Sequence, residues 1–275
     1  GSKENVKLFA SNPDYEFIKH DIRKPLKISE KIDQIYNLAC PASPPRYQKD
    51  PLFTLETSVL GIRTMLKLAQ EHRAKFLQAS TSEVYGNPLE HPQKESYWGN
   101  VNPVGPRSCY DEGKRAAETF CYEYFNRGVD VRVIRIFNTY GPYMDPADGR
   151  VITNFINQAL RNEDLTIYGD GRQTRSFCFI NDLLEAMTKY MALEERFFGP
   201  LNLGNPEEFT VSKLAQKVLK LIPKSKSKII YKPLPKDDPT MRKPDISRAK
   251  KILGWRPKIG IEEGLKRTIK YFERK

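Results

Sequence analysis

At 275 residues the chain can bury one large α/β core, or a core with a small appended lobe, and it has no apolar run of about 18 residues that could span a bilayer. Lysine and arginine total 46 against 34 acids, a net charge of +12, which suits either polyanion binding or a pocket for a phosphorylated ligand. The basic residues are scattered, and the densest stretch, Lys224 to Lys228, has no interleaved aromatics; this argues for the ligand pocket and a solvated basic surface rather than nucleic acid.

In chain order, Glu16 to His20 reads as a strand ending at Asp21, and Gln34 to Ala39 as a second strand. Leu60 to Glu71 carries apolar residues at helical spacing (Leu60, Met65, Leu66, Leu68, Ala69), and Phe76 to Ser80 is strand-like again. Asp111 to Phe125 is a helix candidate followed by the strand-like run Val129 to Phe137. Alternating strand and helix predicts a parallel, doubly wound sheet of the Rossmann type, whose ligands bind at the carboxyl ends of the strands. From about Pro142 the pattern changes, with helices expected over Val151 to Arg161, Asn181 to Leu193 and Val211 to Leu221, between Pro- and Gly-containing loops. A final helix, Ile261 to Phe272, follows the breakers Gly254 to Pro257. The division is therefore 1–142 for the parallel-sheet domain and 143–275 for a smaller lobe, with segments free to interleave.

Four cysteines, Cys40, Cys109, Cys121 and Cys178, lie far apart without metal-ligand spacing, as expected of reduced thiols. His20, His72 and His91 show no metal or triad spacing and read as structural or exposed. The sharpest local signal is Tyr110 with Lys114, which share one helix face at i and i+4. A lysine one turn beyond a tyrosine lowers the cost of the phenolate, so the hydroxyl can take a proton from an alcohol near neutral pH. The same spacing is common in ordinary surface pairs, and only its context makes it informative.

That context is the ordered set Ala79-Ser80-Thr81-Ser82-Glu83-Val84-Tyr85-Gly86, the tyrosine helix, Arg135 to Pro142, and Gln173-Thr174-Arg175-Ser176-Phe177. With Leu38 to Pro44, Asp237-Asp238-Pro239 and Arg242 to Asp245, it resembles the extended short-chain dehydrogenase/reductase superfamily from Gly1 to about Phe272. Within that superfamily it is similar to the UDP-glucuronate decarboxylases. The distinction rests on Thr81-Ser82-Glu83: related 4,6-dehydratases usually carry an aspartate where this chain has Ser82, and 4-epimerases generally lack the glutamate.

The resemblance implies NAD as cofactor, UDP-glucuronate as substrate, UDP-xylose as product and a homodimer paired through Leu60 to Glu71 and Asp111 to Phe125. It implies Tyr110 as base, Lys114 supporting phenolate and ribose, and Thr81 or Ser82 bonded to the C4 oxygen. Glu83 and Arg175 would manage the carboxylate, the arginine by pairing or orienting a water, the glutamate by like charge. Asp21 would contact adenine, Leu38, Ala39 and Cys40 would line the cofactor, and Asn138, Arg150 and Arg242 would hold the nucleotide sugar. Tyr143, Asp50 and Ser58 depart from the usual residues, which bears on substrate affinity.

The dinucleotide fold is expected to open with a strand, a glycine-rich turn and a helix, and after Gly1 the next glycine is Gly61. Roughly one βαβ unit of about 30 residues is therefore expected to be missing. A chain without it should bind NAD poorly, which keeps a non-catalytic nucleotide-sugar-binding subunit open beside the decarboxylase, and an epimerase or 4,6-dehydratase open as another enzyme. With no charged-then-apolar leader the expected location is the cytoplasm, with Golgi anchoring by a preceding segment as the alternative.

Overall fold

The computed structural model describes residues 3–235, 237 and 239–274. Gly1, Ser2 and Asp238, which belong to the stretches carrying the resemblance, lie outside the described residues. The central sheet is built from β1 (Gln34–Asn37), β2 (Lys75–Thr81), β3 (Val131–Ile136) and β4 (Leu201–Leu203), in the order β1-β2-β3-β4. Every pairing is parallel, with Ile35 beside Phe76, Ala79 beside Ile134 and Ile136 beside Leu203. A parallel strand is covered on both faces, which is why β2 is buried along almost its whole length instead of alternating.

The covering helices are α1 (Ile62–His72), α2 (Ser108–Asn126), α3 (Val151–Leu160), α4 (Ile180–Ala192), α5 (Val211–Leu221), α6 (Ser247–Leu253) and α7 (Ile261–Phe272). Ile62, Leu66 and Ala69 of α1 and Ala117 and Cys121 of α2 pack with Phe76, Val131 and Val133 on one face of the sheet. On the other face Leu183, Met187 and Tyr190 of α4, Ala249 and Leu253 of α6 and Trp255 pack with Leu77, Ile134 and Leu201. A further core joins Phe155 and Ile156 of α3, Leu214 and Val218 of α5, and Leu265 and Ile269 of α7. This is the doubly wound α/β architecture expected of the alternating pattern. The chain after Pro142 contributes to both units, since β4, α4 and α6 cover or extend the central sheet while α3, α5 and α7 build the lobe.

Two local expectations change. Glu16 to His20 forms no strand among the described residues. The helix expected from Leu60 begins earlier, as a π-helical turn Thr57–Gly61 that runs into α1.

Candidate active site

The strands of the central sheet end at Asn37, Thr81 and Ile136, and the residues that follow them open a cleft of about 1010 Å³. Its wall includes Leu38 and Cys40 after β1, Thr81, Ser82 and Glu83 at the end of β2, Asn138 after β3, and Tyr110 and Lys114 from α2. Arg150, Arg175 and Arg242 close it from the lobe side. Residues up to 204 positions apart, from Leu38 to Arg242, are thus gathered because parallel strands place their carboxyl ends on one edge.

Thr81 turns the chain out of β2: its hydroxyl accepts from the Glu83 backbone N–H at 3.2 Å and starts the 3₁₀ turn Ser82–Tyr85. Gly86 ends that turn at φ +61, where a Cβ would come within 2.0 Å of the Asn100 carbonyl, so only glycine fits. The Tyr85 hydroxyl donates to Asn202 Oδ1 at 2.7 Å and ties the turn to β4. The Thr-Ser-Glu stretch is therefore held by the sheet rather than carried on a free loop.

Tyr110 and Lys114 are both 5% exposed. The Tyr110 ring stacks on Tyr47 with centroids 5.0 Å apart and planes 4° apart, and Lys114 Nζ lies 5.8 Å from the Tyr110 centroid. Lys114 Nζ donates to the Ala79 carbonyl at 2.9 Å, which aims the ammonium at the end of β2. Burial pushes the Tyr110 phenol well above its ordinary range, with the Thr81 hydroxyl opposing, and burial lowers Lys114. At Tyr110 desolvation of the buried ring dominates.

Glu83 sits in a buried charge cluster. Burial would raise its pKa, but the guanidiniums of Arg242 and Arg107 outweigh it and hold the carboxyl well below the usual range. Arg107 Nη2 donates to Oε2 at 2.5 Å and Arg242 Nη2 to the same oxygen at 2.9 Å, while Arg242 Nη1 donates to Oε1. Arg242 Nη1 also reaches Ser82 Oγ at 3.3 Å. Both ends of the Arg242 fork thus bond the turn, while its Nε is buried without a hydrogen-bond partner among the described residues and the side chain lines the cleft. The negative charge expected of Glu83 is likewise compensated, and does not face the cleft alone. Asp111, one residue beyond Tyr110, lies behind Arg107, with Oδ2 3.9 Å from Arg107 Nε. Burial, and then the Glu83 charge, push Asp111 up to about 7, against Arg107 and Arg242.

Arg107 and Asp111 escaped the sequence reading, because nothing local marks an arginine 24 positions from its glutamate. Arg175 Nη1 donates to the Thr174 carbonyl at 2.9 Å and Nη2 to the Pro239 carbonyl at 2.6 Å. Its strand pairs with Met241–Arg242, so Arg175 stands directly beside Arg242 in register. Arg150 pairs with Asp148 at 3.2 Å and its Nη2 donates to the Ala42 carbonyl at 3.3 Å. Asn138 offers its carbonyl to the Cys178 N–H, and Cys40 Sγ lies 3.3 Å from Ser58 Oγ. Asp21 and Ala39 are not part of the cleft wall. The Asp21 carboxylate is held by Arg23 at 2.7 Å, whose hydrogen bonds lower it to about 2.

Known proteins resemble the chain in sequence and in fold. The family described as GDP-mannose 4,6 dehydratase matches residues 2–268. UDP-glucuronic acid decarboxylase 4 of Arabidopsis thaliana is 53% identical over 277 residues, covering 100% of this chain and 61% of that protein. UDP-glucuronic acid decarboxylase 6 of the same plant is 52% identical over 266 residues, covering 96% of this chain and 76% of that protein. A UDP-glucuronic acid 4-epimerase from Bacillus cereus, solved in complex with UDP-glucuronic acid and NAD, matches with a TM-score of 0.86 at 24% identity, covering 99% of this chain and 86% of that one. That last likeness is one of fold. The chain spans about three-fifths of the length of the first of these relatives. By the extent of these matches, and by the tyrosine, lysine and Thr-Ser-Glu turn meeting at the strand ends, the chain belongs to the GDP-mannose 4,6 dehydratase family, alongside the UDP-glucuronic acid decarboxylases.

Proposed function

We propose that the chain carries the site of an NAD-dependent decarboxylase that converts UDP-glucuronate to UDP-xylose through a 4-keto intermediate. The observation that carries this reading is the meeting of Tyr110 and Lys114 with Ser82, not a carboxylic acid, at the end of β2. A hydroxyl there can bond the C4 oxygen but cannot protonate a departing C6 hydroxyl, which a dehydratase requires.

The nicotinamide end of NAD fits these residues. Lys114 bonds one carbonyl, which leaves two N–H donors for a ribose, and the cleft reaches the carboxyl ends of the parallel strands. Bound NAD supplies a reversible acceptor for the C4 hydride and a positive ring that favours the tyrosine phenolate, and it is regenerated within one turnover. Tyr110 accepts the C4 hydroxyl proton, and Thr81 and Ser82 hold the C4 oxygen. Once C4 is a ketone it stands β to the C5 carboxylate; the bond from C5 to the carboxyl carbon breaks, carbon dioxide leaves, and the resulting enolate takes a proton at C5 from water in the cleft. Arg175 faces that carboxylate or orients the water beside it. Tyr110 returns its proton to the C4 oxygen when the ketone is reduced. Leu38, Cys40, Asn138 and Arg150 complete the wall. A homodimer formed through α1 and α2 is part of the same proposal.

Incubating the chain with UDP-glucuronate, with and without added NAD, and following products by mass spectrometry tests it. UDP-xylose is expected. UDP-galacturonate would favour a 4-epimerase, and retained binding without conversion would favour a non-catalytic subunit.

A further inference from the structure

Behind the cleft lies a second, smaller chamber of about 220 Å³, lined by Arg107 and Asp111 together with Gly86, Asn100, Asn102 and Asp237. Arg107 lines both spaces, so its guanidinium stands between Glu83 at the cleft and Asp111 at the chamber. Asp111 is 6% exposed, and its Oδ1 has no hydrogen-bond partner. Its other oxygen lies 3.9 Å from Arg107 Nε. An ionised carboxylate this dry and this weakly bonded is costly, whereas a protonated one is not.

The four buried groups can be counted. Glu83 carries −1, and Arg107 and Arg242 carry +1 each. With Asp111 ionised the cluster sums to zero, and with Asp111 protonated it sums to +1. Resting on the decarboxylase reading above, we propose that Asp111 is a specificity-determining residue: its protonation state sets the charge of the wall facing the substrate carboxylate, and so sets the preference for a carboxylated over a decarboxylated sugar nucleotide. The second chamber, polar and large enough for water, gives its proton a route that does not cross the cleft.

Among the described residues, the groups facing Asp111 come from several neighbouring elements. Glu83 lies on the turn after β2, Arg242 on its short strand, Tyr47 on the helix Pro44–Tyr47, and Arg107, Cys109 and Glu112 at its own helix start, while Asp237 lines the chamber. Glu83 is held ionised by two guanidiniums, and Tyr47 and Cys109 are pushed upward by burial, whereas Asp111 is a buried group brought near neutrality. A substrate carboxylate brought to the cleft favours the protonated form of Asp111. Carboxylate binding therefore takes up a proton, and loss of carbon dioxide removes the reason to keep it.

The test compares UDP-glucuronate with UDP-xylose on the full chain carrying Tyr110→Phe, which blocks the alcohol oxidation and leaves both ligands intact. Their diphosphates stay ionised throughout, so the ratio of affinities isolates the carboxylate. Between pH 5.5 and 8.5 the preference for UDP-glucuronate is expected to fall by roughly tenfold, the equivalent of a one-unit coupling. Adding Asp111→Asn should hold the ratio flat at its low-pH value. Calorimetry in two buffers of different ionisation enthalpy gives a second readout that needs no change at Asp111: UDP-glucuronate should take up more protons near pH 7 than UDP-xylose. A flat ratio and equal proton uptake with both ligands bound overturns the assignment of Asp111 but leaves the decarboxylase reading standing. A slope that persists in the Asp111→Asn chain also overturns it. If UDP-xylose binds and UDP-glucuronate does not, or neither binds, the decarboxylase reading fails and takes this inference with it.

Discussion

Glu83 and Asp111 share one cluster, yet the same physics drives them apart. Both pay desolvation; Glu83 recovers more than that cost through two direct guanidinium contacts, while Asp111 feels Arg107 and Arg242 only weakly and has Glu83 as a neighbouring like charge. Glu83→Gln leaves Arg107 and Arg242 buried without their anion, and should cost about 3–5 kcal/mol in a urea denaturation at pH 7. Because the folded pKa of Glu83 is depressed, its stabilisation is present above the unfolded carboxylate value of 4.5 and is lost as pH falls below it. The gap between the parent chain and Glu83→Gln should therefore narrow in acid, and a gap independent of pH would refute the ion-pair account. Tyr110→Phe removes only the phenolic oxygen beneath the Tyr47 stack. Turnover of UDP-glucuronate should drop by roughly 10²–10⁴ while ligand affinity changes little, as measured by single-turnover kinetics and calorimetry.

Helix α2 carries Tyr110 and Lys114 to the cleft and Asp111 to the chamber behind it, and its placement depends on Gly113. A Cβ at that position would lie 2.9 Å from Ser58 Cβ and 3.4 Å from Leu55 Cδ1, so the glycine lets α2 press against the π-helical turn and the helix before it. Alanine is the better helix former by about 1 kcal/mol, but overpacking costs about 1–3 kcal/mol. Gly113→Ala should thus lower stability and turnover together, and Ser58→Gly in the same chain should recover part of both; a stabilised Gly113→Ala chain would show that the contact gives way. The elements with strong apolar periodicity were legible in the sequence. The helix at Val211 and the final helix at Ile261 fall where expected, and β1 to β3 differ by three residues or fewer at each end. The strands of two to four residues in the second half were not, because a period of two cannot be read from so few positions. At the site, Tyr110, Lys114, Ser82 and Glu83 were legible through spacing and resemblance. Arg107 and Arg242 were not legible as partners of Glu83, since only the folded chain brings positions 83, 107 and 242 together.

Over the whole molecule, burial is uneven. Leu60 stays 45% exposed and Tyr122 51%, on the π-helical turn leading into α1 and on α2, which pack against each other, and Leu52 and Leu55 nearby are also exposed. Single exposed apolar residues are ordinary, but several on adjoining elements point to an association surface. A second copy of the chain is the partner expected here. Isologous pairing would bring like helices together across a two-fold axis and cover these residues in both copies at once. A stable pairing should bury about 800 Å² per partner, more than four side chains supply, so α1 and α2 must contribute along much of their length. Sedimentation velocity at micromolar concentration should show a dimer. Leu60→Glu with Tyr122→Glu places four like charges at such a seam, and should give a monomer with unchanged far-ultraviolet circular dichroism, because neither side chain lies in a core or in the cleft wall. A parent chain that sediments as a monomer would sink the pairing; a dimer that survives both substitutions would move it to another face.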